Sequence, residues 1–368
     1  MAKAQGVDSG RRRGRMILWS LLVILAGSMI FPLSGYVYVA FAPEAQAQEG
    51  EAVTNAPGAN ERANYWRSVR RGSDGRVTAS GPYVTDTLVQ SRGEVWRQVR
   101  NGPIATIGPW VLGGVLLLIL IYFLIFGSKR LSHPPTGRMV VRWTGFERIM
   151  HWSVATLFVL LAITGLSLLF GRAVLVPLFG LPGFSVYAQW SLYIHNFAGP
   201  LFLLLLLLMV IVWARYNVFR KHDAVWLKKA GGMFKKGEHP PAGRTNAGEK
   251  VWFWFIATFG LLGVGISGLV LDFPNFAQSR ETMQTANVIH AVLAVIWVAI
   301  WFGHAYLGTI GLRGTLSGMT RGVVDEEWMR EHHGVWYEEM QRGTAKMPGQ
   351  REPAKVRPTT EPGAASPR

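Results

Sequence analysis

The sequence predicts an all-α membrane protein, a four-helix transmembrane bundle with one extra span before it and a signal-like segment at its start. Three observations carry this. Only 16% of the 368 residues are charged although 49% are hydrophobic, and an ordinary soluble domain carries about 25% charged residues. The apolar residues are gathered into blocks long enough to cross a bilayer. The 38 Lys and Arg against 22 Asp and Glu, a formal charge of +16, lie between those blocks rather than in them, so the basic excess reads as topology and not as a nucleic-acid surface. Zero Cys excludes a disulfide scaffold, thiolate zinc, Cys-ligated iron–sulfur clusters and covalent c-type haem.

Residues 1–47 read as a signal peptide. The basic cluster Arg11, Arg12, Arg13, Arg15 precedes an apolar block from about Met16 to Ala40, and Ala45-Gln46-Ala47 offers a small-x-small cleavage site. The alternative is an uncleaved anchor. Residues 48–103 are polar, rich in Gly and Pro, and expected to form a small irregular or β-containing periplasmic segment. Residues 104–127 are the extra transmembrane helix. Residues 128–312 hold the bundle, with spans near Ile149–Phe170, Leu192–Ala214, Val251–Leu271 and Ala286–Leu312. Residues 313–368 form a cytoplasmic tail, disordered after about residue 347 on its Pro, Lys, Arg and Thr content. Within it, Val324–Met340 is expected as a short amphipathic surface helix.

Orientation follows from the loops. Residues 128–148 and 215–250 together carry fourteen Lys and Arg, whereas 172–187 and 273–287 carry only Arg172 and Arg280. The basic loops and the tail are therefore cytoplasmic and the segment 48–103 lies outside.

Of nine His, five fall in loops or tail: His133, His222, His239, His332 and His333. The pair His332-His333 is expected to be surface-exposed. The other four, His151, His195, His290 and His304, fall in spans almost free of other ionisable groups, where each polar side chain is a functional candidate. His290 and His304 are 14 residues apart, about four turns or 21 Å on one helix face. Matched by depth, His195 faces His290 at the outer level and His151 faces His304 at the inner level. Two stacked imidazole pairs in a bundle suit two b-type haems with bis-His axial ligation. A zinc site needs three or four ligands at one depth, and a proton relay within the spans would include carboxylates. Gly165, Gly199, Gly265 and Gly268 are candidate small residues beside the macrocycles, though membrane helices also use Gly for packing. A weak repeat at an offset of 102 relates Glu147-Arg148, Trp152 and Ala155-Thr156 to Glu249-Lys250, Trp254 and Ala257-Thr258, with His151 opposite Phe253.

The segment from about Arg142 to Tyr337 resembles the cytochrome b (gamma) subunit of membrane-bound respiratory formate dehydrogenases. The resemblance rests on Glu147-Arg148-Ile149-Met150-His151-Trp152, Ile194-His195, Asn246-Ala247-Gly248, Ile289-His290-Ala291, His304-Ala305-Tyr306 and His332-His333 followed by Trp336-Tyr337. Residues Thr87 to Gly93, with Trp96-Arg97 and Asn101-Gly102, are similar to the extension of the longer family members. The resemblance implies a dihaem membrane anchor for a periplasmic complex. An iron–sulfur beta subunit delivers electrons taken from formate on a molybdenum or tungsten alpha subunit. Iron ligands are then His195 and His290 for the outer haem and His151 and His304 for the inner haem. A quinone is reduced near the cytoplasmic side beside Asn246, Gly248 and His304. Asn246 also has a plain reading as a helix N-cap. This chain departs from the short family members in its first apolar block and its extra span. The sequence leaves open the similar bundles of nickel–iron hydrogenase and thiosulfate reductase, and a non-redox transporter or scaffold, against which the absence of broken helices argues.

Overall fold

A computed structural model describes residues 75–81, 84–89, 91–235, 237–276 and 278–345. The signal-like residues 1–47, most of the outer segment before Gly75 and the tail after residue 347 lie outside the described residues.

Among the described residues, five helices are long and apolar enough to span a bilayer: Val95–Phe126, Gly145–Val174, Val176–Tyr216, Ala247–Asp272 and Arg280–Gly311. Ahead of them, β1 (Gly75–Gly81) and β2 (Val84–Val89) form an antiparallel hairpin. Helix α1 (Ser91–Val99) continues through a π-type turn into α2 (Ala105–Phe126), so the extra span begins well before Ile104. It stands against the last span. Trp96 Nε1 donates to Asn287 Oδ1 at 3.2 Å, and the Tyr122 and Tyr306 rings meet edge-on at 6.2 Å.

The bundle proper starts after β3 (Met139–Val141). Helix α3 (Gly145–Val174) begins with a capping box in which Thr144 accepts from the Glu147 backbone and Glu147 reaches back to Thr144. Helix α4 (Val176–Trp213) is interrupted at Gly180, whose φ of 68° only a glycine adopts cheaply. After the short α5 (Lys221–Lys228), α6 (Ala247–Phe255) opens on a second capping box, with Asn246 and Glu249 in the roles of Thr144 and Glu147. Between α6 and α7 (Ile266–Asp272) the chain winds as a π-helix over Ile256–Gly265. The last span is α8 (Arg280–Tyr306).

The tail folds back instead of running as one surface helix. Helix α9 (Thr315–Thr320) leads to β4 (Val323–Asp325), which pairs antiparallel with β3, and α10 (Glu326–His332) and α11 (Gly334–Gln341) follow. Val324, Trp328, Met329 and Trp336 form a small buried cluster. The expected amphipathic helix over Val324–Met340 is thus a strand and two short helices, because its apolar residues close one end of the bundle. His332-His333 is not surface-exposed either. His333 is 1% exposed and donates through Nδ1 to Gly243 O at 2.7 Å.

Two ion pairs lock the starts of α3 and α6 reciprocally. Arg142 Nη2 meets Glu249 Oε1 at 2.9 Å, and Arg244 Nη2 meets Glu147 Oε1 at 2.9 Å. Arg142 and Arg244 are 102 residues apart, as are Glu147 and Glu249 and the two caps Thr144 and Asn246. Each half therefore supplies the arginine for the other's carboxylate, as in an isologous contact. The weak repeat is a real pseudo-two-fold relation between helix starts.

Candidate haem sites and the large cavity

The four span histidines meet in two pairs. The rings of His195 (α4) and His290 (α8) are 6.1 Å apart, and those of His151 (α3) and His304 (α8) are 6.3 Å apart. Two imidazoles on one iron, with metal–nitrogen bonds of about 2.0 Å and about 1.1 Å from nitrogen to ring centre, put the ring centres about 6 Å apart. Both separations fit that donor set.

At the outer pair, hydrogen bonds fix the rings. Thr164 donates its hydroxyl to Leu160 O at 2.9 Å, so its oxygen is the acceptor for His195 Nδ1–H, also at 2.9 Å. His290 Nδ1–H donates to Val264 O at 3.0 Å, with Ser267 Oγ at 3.3 Å. Both rings therefore carry the proton on Nδ1 and keep the Nε2 lone pair for a metal, the usual arrangement behind a ligating histidine. Gly165 and Gly268 lie against these rings, since a Cβ added at either would fall 3.0 Å from His195 or 3.1 Å from His290. Of the other two candidate glycines, Gly265 packs on Leu203, and Gly199 faces open space.

At the inner pair, aromatic rings do the holding. Trp252 stacks on His304 with centroids 5.2 Å apart, and Trp213 stacks on His151 at 6.3 Å. The buried Nδ1 of His151 has no partner among the described residues. His304 stands exposed to a cavity of about 1860 Å³ whose walls also include His151, Trp152, Asn246, Gly248 and Trp252. Asn246 spends Oδ1 on the Glu249 backbone, which leaves its amide nitrogen as the donor that can face the cavity. Gly248 has a packing reason of its own, because an added Cβ would fall 2.7 Å from the Trp226 ring.

Between the levels lies the apolar core of α3, α4, α8 and the π-helical stretch, with Phe158, Phe202 and Trp297 at its centre. Trp297 sits seven residues from both His290 and His304 and contacts Phe158 at 5.1 Å and Phe202 at 5.7 Å. Seven residues are close to two turns, so all three side chains project from one face of α8.

Sequence reasoning missed the side chains that hold the rings: Thr164, Ser267, Trp213 and Trp252. One signal was available. Ile163-Thr164-Gly165-Leu166 repeats as Ile266-Ser267-Gly268-Leu269, at an offset of 103 rather than 102. The extra residue falls inside Ile256–Gly265, where the π-type winding absorbs it.

Residues 142–322 match the family model described as prokaryotic cytochrome b561. The spans and this match define a multi-pass membrane cytochrome b, a class whose cofactor is haem b. The nitrate-inducible formate dehydrogenase cytochrome b556 subunit of Escherichia coli K12 is 31% identical over 217 residues, 57% of this chain and 95% of that protein. A second formate dehydrogenase cytochrome b556 subunit of the same strain is 30% identical over 210 residues, 56% of this chain and 96% of that protein. That of Haemophilus influenzae is 25% identical over 205 residues, 54% of this chain and 83% of that protein. The chain belongs to the family of formate dehydrogenase cytochrome b subunits.

Proposed function

We propose that this subunit binds two haems b, one at His195 and His290 and one at His151 and His304, and carries electrons from a periplasmic donor to quinone near the cytoplasmic side. Bound there, haem supplies one-electron carriers at two depths of the membrane. The observation that carries the reading is the pair of ring separations, 6.1 and 6.3 Å, at two levels of one helix face. Fourteen cytoplasmic against two outer loop cations support an inner-membrane orientation with the β1–β2 segment in the periplasm. An iron–sulfur beta subunit is then the donor at the outer pair, and a molybdenum or tungsten alpha subunit oxidises formate.

The residues of this chain divide the work. Thr164 and the Val264 carbonyl keep the proton on Nδ1 and so keep Nε2 of the outer ligands basic. Phe158, Phe202 and Trp297 fill the space between the levels and exclude water from it. At the inner level the cavity admits the quinone. There the Asn246 amide, the backbone at Gly248 and the neighbourhood of His304 provide donors for its carbonyl oxygens.

The test is a reduced-minus-oxidised spectrum of the purified complex with haem quantified per chain. Two low-spin haems b per subunit, both reduced by formate and reoxidised by a short-chain quinone, are expected. One haem per subunit, or haems that quinone cannot reoxidise, overturns the reading.

A further inference from the structure

Reducing a quinone takes two protons as well as two electrons, and the walls of the large cavity are mostly aromatic and aliphatic. Among the described residues, one protic cluster joins this cavity to a second, surface pocket. That pocket, of about 420 Å³, is lined by Ser132, His133, His239, Glu327, Arg330 and Glu331 among others. Ser132, His239 and Glu331 also line the large cavity, so these three side chains, with Gly237 and Pro240, form the partition between the two spaces. His332 lines the inner space.

We propose that Glu331, His239 and His332 form the relay that delivers protons from the cytoplasm to the quinone cavity, an inference that rests on the quinone reading above. His133 stands at the mouth, with its side chain 66% exposed and its Nδ1 3.3 Å from Glu331 Oε1. Glu331 is held rigidly by the backbone N–H groups of Ser132 at 2.8 Å and His133 at 3.2 Å, although its side chain is only 6% exposed. Its second oxygen is 3.4 Å from His239 Nε2, which also lies 2.9 Å from Ser132 Oγ. The His239 ring is 5.4 Å from that of His332. His332 Nδ1–H donates to Trp328 O at 3.0 Å, which leaves Nε2 as the atom with a free lone pair.

The protonation states suit a relay. Burial raises the Glu331 carboxyl, but the Ser132 N–H, His239 and His133 outweigh it and leave the pKa below the ordinary carboxylate value. Burial pushes His332 down to about 4, so it rests neutral and holds a proton only transiently. Each proton is taken from bulk water at His133 or Glu331, passes over His239 to His332, and ends on a quinone oxygen. Two such transfers, with the two electrons that a haem held by His151 and His304 would supply, convert quinone to quinol and return each relay group to its resting state.

The experiment uses the intact formate dehydrogenase complex in proteoliposomes, with menadione and ubiquinone-1 as acceptors. Glu331→Gln keeps an acceptor for the two backbone N–H groups, and His239→Gln changes a side chain that touches only Ser132, Glu331 and His332 in this cluster. The expected result for each is a turnover lowered by about tenfold to a hundredfold, the range of a positioned proton-transfer group. KM stays unchanged and the solvent deuterium isotope effect is larger than in the wild type, while formate still reduces the bound haem. Wild-type turnover in both variants overturns the relay, as does a raised KM with unchanged kcat. If Glu331→Gln fails to assemble, His239→Gln alone decides by the same readouts. A wild-type complex that reduces its haems but neither acceptor removes the quinone reading itself, and the relay with it.

Discussion

The two histidine pairs have nearly the same ring separation and are built on different principles. The outer pair is assembled from repeated parts: Thr164-Gly165 behind His195 and Ser267-Gly268 behind His290, each hydroxyl bonded back to its own helix. The inner pair breaks the repeat, since the residue matching His151 is the buried Phe253 and its partner His304 comes from the far end of α8. Its rings are held by Trp213 and Trp252, and one side is left open to the cavity. A closed, hydrogen-bonded site suits a carrier that only exchanges electrons. An open site with adaptable stacking suits one beside which a substrate binds and leaves. The difference between the two pairs is therefore written in what surrounds the histidines, not in the histidines.

The largest effects come from the four proposed ligands themselves. His195→Ala or His290→Ala is expected to lower haem from two to one per subunit and to stop formate-dependent reduction of the remaining haem. His304→Ala is expected to remove the inner haem and leave the outer haem reducible by formate. A His304→Ala protein that retained two haems by pyridine haemochrome assay would dissolve the pairing and with it the contrast between the levels.

Next in size is the core that separates the pairs. Trp297→Ala empties the space filled between Phe158, Phe202 and Gly260. A large aromatic truncation in a packed interior costs about 3–5 kcal/mol, so the thermal midpoint of the bundle should fall with both haem signals lost together. Signals lost at separate temperatures would mean that the levels are independently stable.

Smaller and more diagnostic are changes behind the rings. Thr164→Val removes the acceptor for His195 Nδ1–H. A bond of about 1 kcal/mol corresponds to about 40 mV for one electron, and losing it weakens the ligand's donation to ferric iron, so the outer potential should rise. Trp252→Leu removes the stacking on His304, about 0.5–1.5 kcal/mol, and should move only the inner potential. Redox titration followed optically separates the two. If Thr164→Val moved the inner haem or Trp252→Leu the outer one, the division of labour between hydrogen bonds and stacking would fail.

Much of this was legible in the chain. Loop cations, blank spans and the 14-residue spacing of His290 and His304 need only helix geometry and the cost of burying charge. What was not legible was long-range. Nothing local says that Trp252 stacks on His304, or that Arg142 crosses to Glu249. His332-His333 looked exposed because the residues around it are polar, yet Glu326, Glu327 and Glu331 are themselves buried, satisfied by Arg138, Arg330 and backbone N–H groups. Composition records polarity but not where its partners are. The one-residue slip of the repeat was readable as a number, and only the π-type winding of Ile256–Gly265 explains it.

The smallest predicted effect is acid release of the docked tail. Burial pushes His332 from 6.5 down to about 4. Burial and then the Arg142 charge hold His333 well below 6.5. With the tail docked both rings are neutral, whereas undocked they bind protons at ordinary pH. The docked state therefore binds fewer protons, and its stability is fully present above pH 6.5 and lost as the pH falls toward 4. Asp325 acts in the same direction at lower pH: burial raises its pKa, but the backbone N–H groups of Thr136, Glu327 and Gly137 bring it below 3.8. Hydrogen exchange of residues 323–341 should accelerate between pH 6.5 and 4 while the outer haem spectrum stays constant. Protection that persists unchanged to pH 4 would mean that the two histidines are charged or solvated in place. The inner end would then be as closed as the outer one.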